Sequence, residues 1–266
     1  MHPLVNIAIK AARQAGHHII RAQDIPARIR VSAKDTRDFV TNCDQESEEI
    51  IMEVVRRNYP HHAFLAEESG ETGQHEVMWI IDPIDGTTNF LNGYPHFCVS
   101  IAVAIEGVIE HGVIYDPVTQ DLFQASRGKG ARLNDKRMRI NRDFTIERAL
   151  IGTGFPYKDL SLTHDYMISL QAIFAEACDI RRSGSAALDL ANVAAGRLHG
   201  FWETGLKPWD VAAGALMVKE AGGMVSDFAG NDNWLAGENI VVGTPKVWER
   251  IRQLIQDSPL YAHYKA

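Results

Sequence analysis

The segment Trp79-Ile80-Ile81-Asp82-Pro83-Ile84-Asp85-Gly86-Thr87-Thr88-Asn89 carries two carboxylates, a proline and a glycine directly after a short apolar run. A run of this length between breaking residues favours a buried strand over a helix. Pro83 biases the residue before it out of the helical region, so we expect the strand to end at Asp82 and Asp85 to come round the turn beside it. The two carboxylates are then expected to face one site.

The residues after Asp85 predict a binding site for an anion. Gly86 relieves the steric demand at the close of the turn, and residues 87–89 begin a helix whose free N–H groups and dipole favour a negative ligand. The segment therefore indicates carboxylates for a cation next to amides for a phosphate. A surface turn with solvated acids is the alternative interpretation, because Asp-Pro and Asp-Gly pairs are common turn formers.

Other acidic residues lie at the boundaries of predicted elements. Glu67 follows the apolar run 63–66, and Asp210 follows Pro208-Trp209 at the start of a helix rich in small residues. Taken singly, the first is typical of a solvated surface and the second of a helix cap. Taken with Asp82 and Asp85, they form an all-oxygen set without Cys or His, which suits Mg²⁺, whereas Zn²⁺ calls for nitrogen or sulfur.

Charge balance and missing motifs favour metal-assisted phosphate chemistry. A cluster of carboxylates repels an anionic substrate, so divalent cations are expected to bind with or before it. The sequence has no G-x-x-x-x-G-K-[ST] loop, no G-x-S-x-G motif and no cysteine spaced as a phosphatase nucleophile ahead of an arginine. These absences argue against a nucleotide-binding P-loop and a covalent hydrolase.

Composition and charge exclude several classes of protein. The 266 residues are 45% apolar and 23% charged, which rules out a disordered chain, a collagen and a coiled coil. The net charge of -7 excludes a generally basic nucleic-acid binder. Three widely spaced cysteines are typical of reduced thiols, and the first thirty residues carry arginines along an amphipathic helix rather than a signal peptide. The most apolar stretch, 97–105, is about half of the ~20 residues needed to cross a bilayer, so we expect a cytoplasmic protein without a membrane span.

Hydrophobic spacing predicts a chain of mixed helices and strands. Two amphipathic helices come first, one opened by Pro3 and one ending near residue 58, and short strands follow. Three apolar runs at 97–105, 108–115 and 121–126 predict an antiparallel meander. Beyond Leu150, helices and strands alternate up to a final helix near 245–255. The predicted class is α/β or α+β with a mixed sheet.

Three motifs resemble the signature motifs of the inositol monophosphatase family, in the family's order. They are Glu67-Glu68-Ser69, the stretch 82–89 and Trp209-Asp210-Val211-Ala212-Ala213-Gly214, and the resemblance spans nearly the whole chain. Residues 1–9, 41–44 and 181–190 are similar to a bacterial subgroup of that family. The resemblance implies one αβαβα layered sandwich over residues 1–266, with an N-terminal α+β part of about 1–148 and a C-terminal α/β part of about 149–266.

The resemblance also implies an activity, a cofactor and a set of site residues. The activity is hydrolysis of myo-inositol 1-phosphate or a similar small polyol or sugar phosphate, with two or three Mg²⁺ ions per site, inhibition by lithium and a homodimeric state. Lys34 would regulate a loop and a weaker third metal. The implied metal ligands are Glu67, Asp82, the Ile84 carbonyl, Asp85 and Asp210; the catalytic residues are Glu67, Asp44 and Thr87; and the substrate-binding residues are Ile84, Asp85, Gly86, Thr87, Arg181, Gly184, Ser185, Ala186, Glu203 and Asp210.

The homodimer has a second argument in the sequence. The apolar meander within 97–126 is expected to present a sheet edge that needs covering, and a second copy of the chain would cover it.

A basic segment supports a different class of function. Between Arg127 and Arg148 the chain has eight basic and three acidic residues, inside an otherwise acidic protein. A solvated connection between a strand and a helix has this composition too. The alternative is a surface for RNA or for an acidic protein partner. The bacterial subgroup is associated with antitermination of ribosomal RNA transcription through transcription factors and RNA polymerase, which would make the phosphatase site secondary.

Overall fold

The computed structural model of the chain describes residues 2–25, 27, 29–35, 38–157 and 159–265, with the side chains of 33–35, 38 and 39 left undescribed. The prediction for the Lys34 side chain therefore lies outside the described residues. The helices are α1 (Pro3–Gln23), α2 (Asn42–Asn58), α3 (Thr87–Leu91), α4 (Thr163–Glu176), α5 (Ala186–Ala194), α6 (Pro208–Glu220) and α7 (Pro245–Gln256). Short 3₁₀ turns lie at Ile146–Arg148, Leu160–Leu162 and Pro259–Tyr264.

The described strands form one hairpin and two mixed sheets. In chain order the strands are β1 (Val31–Asp35), β2 (Asp38–Thr41), β3 (Ala63–Ala66), β4 (Gly70–Thr72), β5 (Val77–Asp85), β6 (Cys98–Ile105), β7 (Val108–Tyr115), β8 (Leu122–Ser126), β9 (Gly130–Leu133), β10 (Lys136–Arg137), β11 (Leu150–Thr153), β12 (Asp179–Arg181), β13 (Gly200–Thr204), β14 (Met224–Ser226) and β15 (Asn239–Gly243). β1 and β2 pair alone; the eight-stranded sheet has the order β10-β9-β8-β7-β6-β5-β3-β4, and the five-stranded sheet has the order β12-β11-β13-β15-β14.

Both larger sheets contain parallel and antiparallel pairs. β3 runs parallel to β5, and β11 runs parallel to β12 and β13. The predicted meander is β6, β7 and β8, which pair antiparallel in succession. The mixed sheet expected from the sequence is therefore confirmed.

The helices and sheets stack in five layers. α1 and α2 cover one face of the eight-stranded sheet, and the buried residues of α1 (Leu4, Ala8, Ala11, Ala15 and Ile19 among them) recur every three or four positions. α5 and α6 lie between the two sheets, and α4 and α7 cover the outer face of the five-stranded sheet. The αβαβα sandwich that the resemblance implied is confirmed.

The middle layer explains why α6 is rich in small residues. Both of its sides are buried, and its backbone lies so near β7 that a Cβ at Gly112 would lie 3.0 Å from the Cα of Ala213. Such a close approach of helix and sheet is possible only where neither side carries a bulky side chain. Among the described residues, no helix is both long and apolar enough to cross a bilayer.

Two details differ from the sequence prediction. β5 does not end at Asp82 but continues to Asp85, since Asp85 still pairs with Cys98 of β6. The edge of the meander is also not bare, because β9 pairs with β8 along Phe123 to Ser126. The sequence argument for a dimer at that edge is therefore wrong, and the large exposed apolar side chains of α4, Met167, Ile168 and Phe174, lie elsewhere.

Candidate active site

A bulge in β5 brings Asp82 and Asp85 to the same side of the sheet. Asp82 pairs with Ser100 and Asp85 with Cys98, so three steps along β5 match two steps along β6. In a regular strand, side chains three positions apart point to opposite faces. The extra residue removes this alternation. The bulge is therefore the local feature that builds the site.

Gly86 follows the bulge and begins α3. Its φ is 99°, in the left-handed region, and a Cβ there would lie 3.0 Å from the carbonyl oxygen of His96. Only glycine meets both conditions without strain. Gly86, Thr87 and Thr88 line the cleft, and the first N–H groups of a helix have no partners within it. The Asn89 side chain then donates to the carbonyls of His96 and Ser183, which ties α3 to the loop before α5.

The carboxylate of Asp85 is held by the start of α5. Its Oδ2 accepts a hydrogen bond from the Ser185 hydroxyl at 2.6 Å and from the Ala187 N–H at 2.7 Å. Burial raises the pKa of Asp85, and these hydrogen bonds oppose that rise because they favour the charged form. One oxygen of this carboxylate lies near carboxylate oxygens of Asp82 and Asp210.

Asp82 is the most desolvated acid of the group. It is 2% exposed, and its Oδ1 has no hydrogen-bond partner among the described residues. Burial, and then the charges of Glu67, Asp85 and Asp210, raise its pKa well above the ordinary range. A buried, unpartnered carboxylate oxygen beside further carboxylates is costly unless a cation neutralises it.

The donor atoms fit a divalent cation. Single oxygens of Asp82, Asp85 and Asp210 lie within 4.8 Å of one another. Asp210 is placed by the first turn of α6, where its Oδ2 also accepts from the Lys207 N–H at 2.6 Å. Glu67, at the end of β3, lines the same cleft. Hard carboxylate oxygens without sulfur or nitrogen suit Mg²⁺ by size and charge.

Asp44 reaches the site from beneath. It is 1% exposed and caps α2, with its Oδ2 accepting from the N–H and the hydroxyl of Thr41. Its Oδ1 lies 3.0 Å from the hydroxyl oxygen of Thr87, which is also 3.0 Å from the Ile84 carbonyl. Burial raises the pKa of Asp44 against these hydrogen bonds. Asp44 therefore orients Thr87 rather than touching the cleft itself.

The cleft is a cavity of about 530 Å³ between the eight-stranded sheet, α3, α5 and α6. Its far wall holds Glu203 of β13, whose pKa burial and the charge of Asp210 raise well above normal. Phe155 and Tyr157 line its mouth, and the Arg182 guanidinium lies 5.6 Å from the Phe155 ring centre. The space and the mixture of acids, amides and one guanidinium suit a small polar ligand with an anionic group.

The structure brings most of the predicted site residues to this one cavity. The residues that line it are Glu67, Asp82, Ile84, Asp85, Gly86, Thr87, Gly184, Ser185, Ala186, Glu203 and Asp210. Asp44 lies behind Thr87, as described above. Arg181 is not brought to the cavity, since its side chain is exposed and pairs with Asp179, whereas its neighbour Arg182 lines the wall. Successive side chains of an extended segment point to opposite sides, which separates the two arginines.

Two buried acids were missed by the sequence prediction. Glu48 of α2 accepts from the N–H groups of Glu68 and Ser69 at 2.8 and 2.9 Å, which anchors the loop that carries Glu67. Asp189 of α5 is 2% exposed, and burial raises its pKa to about 8. Both lie on helix faces that are otherwise core, and an acid at a core position of a helical pattern was the available signal.

Comparison with known proteins gives consistent matches over the full length. The sequence profile of the inositol monophosphatase family matches residues 1–260. A curated relative, "Nus factor SuhB" of Vibrio cholerae, is 47% identical over 260 residues, which cover 97% of each chain.

Solved structures agree with the sequence matches. The crystal structure of the extragenic suppressor protein suhB of Bartonella henselae superposes with a TM-score of 0.93 at 41% identity, and covers 96% of this chain and 99% of its own. An inositol monophosphatase of Thermotoga maritima superposes with a TM-score of 0.88 at 30% identity, and covers 99% of this chain and all of its own.

Proposed function

This chain belongs to the inositol monophosphatase family, and we propose that it is a Mg²⁺-dependent phosphatase of myo-inositol 1-phosphate or a similar small polyol or sugar phosphate. The observation that carries the proposal is the group of carboxylate oxygens of Asp82, Asp85 and Asp210, which lie within 4.8 Å of one another next to the start of α3. The Oδ1 atom of Asp82 is buried and has no hydrogen-bond partner among the described residues. We further propose that the enzyme is a homodimer and is inhibited by lithium, as the family resemblance implies.

The backbone and side-chain groups named above have distinct roles in the proposed hydrolysis. The backbone N–H groups of Gly86 and Thr87 bind the phosphate at the beginning of α3. Asp44 accepts a hydrogen bond from the Thr87 hydroxyl, and this bond turns a lone pair of the hydroxyl oxygen toward the cleft. The lone pair then accepts a hydrogen bond from the attacking water. Glu203 and the segment Gly184–Ala186 contact the alcohol portion. These groups contribute mainly by holding the attacking water in line with the phosphate.

The carboxylates hold the cofactor. Glu67, Asp82 and the Ile84 carbonyl form one proposed metal position, and Asp82, Asp85 and Asp210 form a second. Bound Mg²⁺ would offset the negative charge of carboxylates and phosphate and would make water nucleophilic at neutral pH.

A panel of phosphomonoesters tests the activity directly. Purified full-length protein with Mg²⁺ is expected to release phosphate from myo-inositol 1-phosphate and from related polyol phosphates. Exhaustive chelation should abolish turnover, and Ca²⁺ should inhibit, since its longer and less regular coordination displaces the reactants. Turnover that survives chelation, or that requires Zn²⁺ alone, would contradict the mechanism.

A second candidate function is an interaction role in transcription antitermination, which the similarity to proteins named Nus factor SuhB favours. The surface proposed for it is the basic segment of β9, β10 and the chain that follows. Lys136, Arg139 and Arg142 are exposed there, and their side chains have no ion-pair partner among the described residues. Such a row of free cations attracts RNA or an acidic protein, including RNA polymerase or its factors.

Complementation of a deletion strain separates the two functions. If the cellular role is hydrolysis, Asp210→Asn should fail to complement, while charge reversal at Arg137, Arg139 and Arg142 should complement. If the role is binding through the basic segment, Asp210→Asn should complement and the charge-reversal variant should fail to complement.

A further inference from the structure

A second cavity, of about 950 Å³, lies on the eight-stranded sheet where α1 begins, and it shares no lining residue with the proposed active site. α1 packs on β6 and β7, whereas over the same face of β8 and β9 no helix of the described residues packs to a comparable extent. The side chains of that part of the sheet form the cavity floor.

Gln124 is one of the polar residues of this floor. Its side chain is 8% exposed and lines the cavity, and among the described residues nothing accepts from or donates to the amide. The amide is not among the fully buried side-chain groups that lack a partner, so a ligand in the cavity can bond to it in place of solvent. The amide offers one donor edge and one acceptor edge to whatever fills the cavity.

The neighbouring floor is polar but uncharged. His111 Nδ1 lies 2.9 Å from the Ser126 hydroxyl, and these two residues are direct cross-strand partners. Burial lowers the pKa of His111 to about 4, with a smaller contribution from His2, so its ring is neutral at physiological pH. The His2 ring stacks on it with 4.3 Å between centres. The cavity thus combines an amide, a hydroxyl and stacked flat rings.

The cavity is also lined by three cations, Arg127, Lys129 and Arg132, and three acids, Glu106, Glu110 and Asp135. Arg132 is the cross-strand partner of Gln124, so both side chains lie on the same face of the sheet. Within the described part of the chain its guanidinium makes one contact, of 3.4 Å, to the Asp135 carbonyl, whereas Arg127 forms an ion pair with Glu110. Lys129 also lines the cavity. A phosphate there would be attracted by Arg132 and Lys129 and repelled by the acids, so we expect it against these two cations while the rest of the ligand enters the uncharged floor.

We propose that this cavity binds a nucleotide, with the base edge on the Gln124 amide, the base plane beside the His2 ring and the phosphate at Arg132 and Lys129. An amide side chain matches the paired donor and acceptor of a base edge, adenine best of all. Flat rings favour a planar ligand over a polyol. The site does not depend on the proposed phosphatase activity. The same chemistry is presented by a free nucleoside monophosphate and by one unit of a single-stranded RNA that continues along β10.

Calorimetric titration with AMP tests the site. The full-length protein is kept in EDTA, so that the carboxylate cleft carries no metal to hold a phosphate. We expect one AMP per chain, and about tenfold or greater weakening in Gln124→Leu, because one paired base contact is lost. Arg132→Ala should weaken AMP but leave adenosine unchanged. Matched controls on other surfaces, Gln171→Leu and Arg57→Ala, should bind as the wild type does.

Folding is checked in the same variants. Gln124→Leu should keep the melting temperature, since the amide makes no hydrogen bond to the described residues. Arg132 is exposed, so Arg132→Ala preserves the test even if the first variant folds poorly. Ribose 5-phosphate, which lacks the base, should bind much more weakly than AMP.

A five-residue oligoriboadenylate distinguishes the two sources of ligand. If the oligomer binds more tightly than AMP, and this binding is lost in Gln124→Leu and in Arg132→Ala, the ligand is RNA. If the oligomer binds as well as AMP or more weakly, the ligand is a free nucleotide. Absence of binding of both probes at millimolar concentration would overturn the proposal. It would also be overturned if AMP bound equally well to Gln124→Leu and Arg132→Ala, or if Asp210→Asn abolished the binding.

Discussion

The Thr87 hydroxyl lies 3.0 Å from Oδ1 of Asp44, although 43 positions separate the two residues in the chain. Asp44 is itself fixed, because its other oxygen closes the capping box at the start of α2. The first turn of α2 therefore holds the first residue of α3 in one orientation. An acid with no access to the cleft acquires in this way a role in positioning.

Asp44→Asn should lower kcat by about a hundredfold with little change in KM. The asparagine keeps its carbonyl toward Thr41, so its NH₂ group faces Thr87 and donates to the hydroxyl, which occupies the lone pair needed by water. Burial of a neutral group costs less than burial of a carboxylate, so the melting temperature should not fall. Steady-state kinetics and thermal unfolding measure both effects.

The control for this change is Asp257→Asn, at the exposed end of α7, which should have wild-type kinetics. The double variant with Thr87→Ala should be no slower than the slower single variant, because the two residues act as one unit. Additive losses, or a normal kcat in Asp44→Asn, would exclude this role.

Asp210→Asn should abolish most turnover without unfolding the protein. Asparagine has nearly the same volume and can still accept from the Lys207 N–H at the start of α6. The lost charge belongs to the proposed second metal position, where stabilisation of charge in the transition state lowers the barrier by several kcal/mol. Without metal, the melting temperature should equal or exceed that of the wild type, because one of several repelling carboxylates is neutral. Retention of normal turnover would remove Asp210 from the site.

His111 should make the protein sensitive to acid. Its pKa is about 4 in the folded protein and rises to the ordinary value of 6.5 on unfolding. The unfolded state therefore binds more protons between these values, so this stability is present above pH 6.5 and is lost as the pH falls toward 4. The loss is at most about 3 kcal/mol. In urea unfolding, His111→Gln should lose less free energy of unfolding than the wild type over this range, and an equal loss would refute the assignment.

The proposed homodimer should depend on α4 rather than on the meander. Phe174 is 59% exposed and Met167 47% exposed on the same helix, and such neighbouring apolar side chains favour burial against a second copy. Phe174→Glu should shift the sedimentation of the protein at tens of micromolar toward the monomer. Tyr94→Glu, at a comparably exposed aromatic outside α4, should not. A monomeric mass for the wild type would contradict the dimer.

Much of the site was predictable because its acids lie at the ends of elements whose patterns are strong. The apolar run before Glu67 and the small-residue helix after Asp210 predicted two boundaries correctly, whereas β5 continues past Asp82. The structure places all three acids in one cleft. The family resemblance and the layered fold are confirmed as well. The short strands β9 to β12 were not predicted, since two to four residues carry too little periodicity to be told from a turn.

The sequence by itself determined which residue types meet in each layer, since hydrophobic spacing and the order of three acidic motifs depend only on local pattern. Only the tertiary structure decided that Arg182 rather than Arg181 lines the cleft and that Glu48 anchors the loop of Glu67. It also decided that Gln124 lines a cavity next to the part of the sheet that α1 covers. These outcomes depend on strand register, on one bulge in β5 and on where α1 stops covering the sheet. They arise from contacts between residues far apart in the chain, which no local pattern encodes.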